Sequence, residues 1–98
     1  MIQHTVVFRL KHPQASVEEA KFLEKAQKLG ELPMVIDLKV LKQVGKKNNF
    51  TFGLSMFFES DETYQSYNNH PDHQSFVNEV WLPEVAEFLE IDYVDAAA

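Results

Sequence analysis

MVIDLKVLKQVGKKNNFTFGLSMFFE, residues Met34 to Glu59, reads as two strands and the turn between them. In its first half Ile36, Leu38, Val40 and Val44 fall on one face, and Asp37, Lys39, Leu41 and Gln43 on the other. In its second half Phe50, Phe52, Leu54, Met56 and Phe58 alternate with Thr51, Gly53, Ser55, Phe57 and Glu59. A period of two among β-branched and aromatic residues marks half-buried strands, here over 34–44 and 50–59. Gly45, Asn48 and Asn49 supply turn chemistry, so the pair is a hairpin. A hairpin in mid-chain, with one helix and one further strand on each side, decides the fold class.

Residues 2–10 alternate too, with Ile2, His4, Val6, Phe8 and Leu10 on the face expected to be inward. Ser16 with Glu19 three residues on is a capping box, and Val17, Ala20, Leu23 and Ala26 recur at helical spacing. A helix is expected over 16–29, with Gly30 at its stop. After the hairpin, Ser60-Asp61-Glu62 opens a second helix that runs to about Asn69. His70-Pro71 interrupts it, because a residue before proline avoids helical backbone. Helix resumes near Asp72, Pro83 breaks it again, Glu84 to Phe88 reads as one more turn or two, and the last strand spans 89–94. The order β-α-β-β-α-β is the ferredoxin-like split arrangement, an α+β fold with a four-stranded antiparallel sheet. One domain is expected over 1–95, with 96–98 as a tail.

Helices cover only one face of such a sheet. The other face carries Val7, Leu41 and Phe57 among smaller polar residues, weaker polar alternation than a face left in water usually shows; the alternative is a few tolerated surface apolar residues. A homodimer through this open sheet face is the expected partnership.

The 98 residues hold 15 acidic against 9 basic side chains and no cysteine. The electrostatic footprint of a nucleic-acid binder is missing, and net acidity opposes docking on an anionic membrane. Disulfides, thiol catalysis and Cys-based zinc sites are excluded. Met1 to Thr5 does not read as a signal peptide, and no apolar run reaches a membrane span, so a cytoplasmic location is expected.

The chemistry concentrates in Tyr67-Asn68-Asn69-His70-Pro71-Asp72-His73. A neutral histidine can take a proton from a substrate while a tyrosine hydroxyl steadies the oxyanion. His73 and Tyr67 are the candidate catalytic pair. His4, Phe52, Phe50, His70 and Trp81 are candidate ligand contacts, with the phenylalanines expected near His4 across the sheet. The alternatives for the histidines are structural: His4 satisfied in the core, His70 bonded at a helix end. No metal or other cofactor is expected, since His70, Asp72 and His73 are too closely spaced and proline-interrupted. Nucleophile-elbow, phosphate-loop and dinucleotide patterns are absent.

Ile2-x-His4-x-Val6-x-Phe8, Phe57-Phe58-Glu59-Ser60 and Tyr67-x-x-His70-Pro71-x-His73-x-x-Phe76-Val77 together resemble the stress-responsive A/B barrel (Dabb) family. The resemblance extends to Asp92-Tyr93-Val94. It implies a dimeric α/β barrel. A plant cyclase of that family closes a linear polyketide by aldol condensation, and its catalytic His and Tyr correspond to His73 and Tyr67, its strand His to His4. A further pocket histidine of that enzyme falls on Phe52. The resemblance thus implies a general base at His73 and a carbonyl-polarising Tyr67. A domain binding a small apolar or aromatic carbonyl compound, with possible lyase- or cyclase-like proton transfer, is the expected function. A non-catalytic binding module and a structural stress-protective dimer stay open beside it.

Overall fold

Alternation in the first ten residues builds β1 (Ile2–Leu10), one of the two inner strands of the sheet in the computed structural model. Residues 1–97 are described; Ala98, the end of the expected tail, lies outside the described residues. β1 pairs antiparallel with β3 (Phe52–Phe58) on one side and β4 (Val85–Tyr93) on the other, and β2 (Ile36–Lys42) pairs antiparallel with β3. The sheet order is β2-β3-β1-β4.

Helices lie on one face. Ser16 caps α1 (Val17–Gln27) by accepting from the Glu19 N–H, and a 3₁₀ turn, Lys28–Glu31, extends it. Gly30 sits inside that turn without a left-handed backbone. Its role is close approach, since a Cβ there would meet the Leu38 Cβ at 3.3 Å. α2 (Asp61–Asn69) and α3 (Pro71–Phe76) follow the hairpin, then a π-helical turn, Val77–Trp81, and a last helical turn, Leu82–Glu84. Phe8, Phe22, Phe76 and Trp81 interlock in the core, with Phe8 and Trp81 ring centres 5.0 Å apart. Tilted aromatic packing of this kind adds to simple area burial.

Two expectations are corrected. Glu84 to Phe88 is not helical beyond Glu84, because β1 recruits it: Leu10 pairs with Val85 and Phe8 with Phe88, and the Lys11 N–H donates to the Glu84 carbonyl at 2.9 Å. The long central strand needs a partner for its backbone groups, and that need outweighs local pattern. Ile36 does not share a face with Leu38 and Val40. Asp37 adopts φ 52° in an irregularity of the β2 register, so Ile36 lies opposite Phe57 on the open face.

That open face presents Val7, Leu41 and Phe57, joined by Leu89, Ile91 and Tyr93 of β4, each set opposite a matching position of the neighbouring strand. Leu89 is 50% exposed and Tyr93 51%. Among the described residues no helix is long and apolar enough to cross a membrane.

Candidate functional site

α2 begins at Ser60, whose hydroxyl accepts from the Thr63 N–H while the Thr63 hydroxyl accepts from the Ser60 N–H. This reciprocal cap fixes the helix's rotation over the sheet. Tyr64 and Tyr67, three residues apart, therefore share one face. Both pack on Phe58, Tyr64 stacked at 4.8 Å and Tyr67 tilted at 5.0 Å.

His70 takes extended backbone before Pro71 and ends α2. Its Nδ1 accepts from the Asp72 N–H at 3.1 Å, so it also caps α3, with Pro71 at the first helical position. α3 brings His73 back over α2. The His73 Nδ1–H donates to the Asn68 carbonyl in a long contact of 3.4 Å, and the His73 and Tyr67 rings lie 4.0 Å apart. The bond assigns the proton to Nδ1 and leaves Nε2 as an acceptor.

His4 reaches the same place from β1. Its Nδ1–H donates to Asp92 Oδ1 at 2.7 Å. The Tyr64 hydroxyl donates to Asp92 Oδ2 at 2.8 Å and sets its oxygen 2.8 Å from the same Nδ1. Register makes this possible, since His4 and Asp92 are directly paired across β1 and β4.

A cavity of 280 Å³ lies between these groups. His4, Tyr64, Tyr67, Asn68, His73 and Glu90 form its polar lining, and its apolar wall includes Val6, Leu54, Met56, Phe76 and Trp81. Phe88 and Leu82, both exposed, stand at its outer side. Among the described residues, no side-chain nitrogen or oxygen shut off from solvent lacks a hydrogen-bond partner. Tyr67 is 2% exposed and His4 7%, yet among the described residues the Tyr67 hydroxyl and the His4 Nε2 have no protein partner. Both atoms therefore open on the cavity they line.

Burial lowers the pKa of His73, reinforced by His4 and His70 and opposed by the Asn68 carbonyl. Burial raises that of Tyr67, with the Glu90 carboxylate adding to it. Tyr64 is raised by burial and by its bond to Asp92. At neutral pH the cavity thus holds a neutral imidazole beside two protonated phenols. Among the described residues no three His, Asp or Glu side chains are arranged to hold a metal ion.

Of the residues singled out from the sequence, His4, Tyr67, His73 and Trp81 come together at the cavity. Phe50, Phe52 and His70 do not. Register sets Phe52 opposite Phe8, while His4 is opposite Met56. Four residues of strand separate them, roughly 13 Å. Phe50 and Phe52 line a different depression with Gln43 and Asn48, and His70 lines a third with Leu32 and Pro33. Pro71 is the cause for His70, since the extended turn aims its ring at the α3 backbone. Tyr64, Glu90 and Asp92 went unread in the sequence. Helical spacing from Tyr67 could have found Tyr64; Asp92 needs the β1–β4 register.

Residues 2–95 match the stress responsive A/B barrel domain, Dabb. The chain belongs to the Dabb family. A Dabb family protein from Mesorhizobium loti, with a ferredoxin-like fold, is 48% identical. Its crystal structure superposes with a TM-score of 0.95 over 96% of this chain and 95% of that one. The ferredoxin-like fold of the Dabb chain follows. A stress-response A/B barrel domain-containing protein of Arabidopsis thaliana is 28% identical over 96 residues, which are 96% of this chain. The Dabb chain spans only 36% of that relative's length. A hydroxynitrile lyase from Passiflora edulis shares the fold at 16% identity, with a TM-score of 0.85 over 99% of this chain and 94% of that one. Three further neighbours, between 15% and 18% identical, are described as dimeric proteins of unknown function with a ferredoxin-like fold.

Proposed function

We propose that this Dabb chain admits a small apolar or aromatic carbonyl compound to its cavity and moves a proton on it, with His73 as base and Tyr67 as donor to the carbonyl oxygen. The observation that carries the reading is the Tyr67 hydroxyl, which lacks a protein partner on an almost fully buried side chain 4.0 Å, ring to ring, from His73. A protonated phenol and a neutral imidazole are the states this chemistry needs. His73 Nε2 takes the proton next to the carbonyl, the C–H electron pair becomes the enolate double bond, and the enolate oxygen accepts from Tyr67. That a hydroxynitrile lyase shares the fold supports an enzymatic reading.

Deuterium exchange into phenylacetone, followed by NMR, tests this. The wild-type chain should accelerate exchange about 10²–10⁴-fold over buffer. His73→Ala should fall back toward buffer, and Tyr67→Phe should lose about 10²-fold or more. Exchange by His73→Ala at the wild-type rate overturns the assignment. Ligand-induced thermal shifts without exchange would favour a non-catalytic binding module.

We further infer a homodimer that buries the open sheet face. Leu41, Phe57, Val7, Leu89, Ile91 and Tyr93 make that face apolar, and the neighbours described as dimeric support self-association.

A further inference from the structure

The His4–Asp92–Tyr64 cluster is not used by the proton transfer assigned to His73 and Tyr67. It nevertheless has the form of a built acceptor site. His4 is 7% exposed, its Nδ1 is saturated by Asp92 at 2.7 Å and Tyr64 at 2.8 Å, and its Nε2 opens on the cavity without a protein partner. An imidazole that donates through Nδ1 presents a bare lone pair at Nε2. A carboxylate holding Nδ1–H fixes the tautomer, as second-sphere carboxylates do for other working histidines.

The geometry points to Asp92 and Tyr64 as positioning residues that hold His4 as a hydroxyl acceptor, so that the cavity selects hydroxy-carbonyl compounds. The ligand's hydroxyl donates to His4 Nε2 and its carbonyl oxygen accepts from Tyr67. The carbonyl half rests on the function proposed above; the hydroxyl half does not. The His4 and Tyr67 ring centres are 6.4 Å apart, which lets one small molecule address both. The two groups are also chemically complementary: a carbonyl alone satisfies Tyr67 and leaves the His4 lone pair facing an apolar ligand. A site built to hydrogen-bond a hydroxyl rejects the analogue that lacks it, because its own polar group is then left unpaired.

Two measurements test the proposal. Nitrogen-15 NMR of the ligand-free chain reads the His4 tautomer directly. The wild type should show Nδ1–H, and Asp92→Asn should lose it or mix the two forms. Tyr64→Phe keeps the ring stacked on Phe58 while removing the second contact, and it should show a partial shift if Asp92→Asn fails to fold. The second measurement compares the affinity of meta- and para-hydroxyacetophenone with that of their methyl ethers. At least one hydroxyl form should bind wild type about tenfold or more tighter than its ether. Asp92→Asn should erase the preference and His70→Ala, outside this cavity, should retain it. An Nε2–H tautomer in the wild type, a tautomer indifferent to both substitutions, or equal binding of hydroxyl and ether by the wild type overturns the proposal. A chain that passes here but fails to exchange phenylacetone protons keeps the His4 assignment and loses only the catalytic reading.

Discussion

His73 is the histidine whose charge the fold decides. Burial holds its pKa below the ordinary 6.5, so the folded chain binds that proton less readily than the unfolded one. Between the folded and unfolded values the unfolded state carries more protons, and stability rises with pH. The contribution is complete above about 6.5 and is lost as the pH falls below it. Melting temperature should therefore drop on acidification from about pH 7 to about pH 5. His73→Gln, which cannot charge, should flatten part of that slope; an identical slope in wild type and variant would count against a buried, neutral His73. His70, three residues away, has a structural part. It is a cap, and His70→Ala should cost about 0.5–1 kcal/mol in denaturant unfolding while leaving ligand affinity unchanged. His70→Asn should recover most of the loss, because an asparagine side chain also accepts from the helix backbone. A loss of ligand binding in His70→Ala with stability intact would reverse this assignment.

Strands and helices with a clean period were legible in the chain. β1, α1 and the hairpin follow from alternation, the Ser16 cap and the turn residues, and their order already implied the sheet. The remainder depended on contacts between segments. Nothing local distinguishes Val85 to Phe88 from a helical turn; only pairing with Leu10 and Phe8 makes it strand. The face taken by Ile36 depends on one left-handed residue, Asp37, at a position with no glycine to announce it. The site divides the same way. As candidates, Tyr67, His73 and His4 stand out by their chemistry, since few side chains can move a proton near neutrality. Phe52 was misplaced because alternation gives the face of a strand but not the distance along it. Asp92 was invisible because its partner is 88 residues earlier.

For the domain as a whole, the proposed dimer predicts the state of assembly. Sedimentation should give twice the 11.3 kDa chain mass at micromolar concentration. Ile91→Asp, or Leu89→Asp with it, should give a monomer by placing charge in the face that the proposed dimer buries. A wild-type monomer under those conditions would refute the dimer. β4 carries a further implication. Its residues alternate between two duties: Phe88, Glu90 and Asp92 attend the cavity, while Leu89, Ile91 and Tyr93 form the outer face. Each residue of this stretch is peptide-bonded to one serving the other duty, so a substitution that shifts the backbone on one face reaches the other. Anyone redesigning the outer face for solubility is also editing the backbone that aims Asp92 at His4, so surface variants of this chain need to be screened for ligand selectivity as well as for yield.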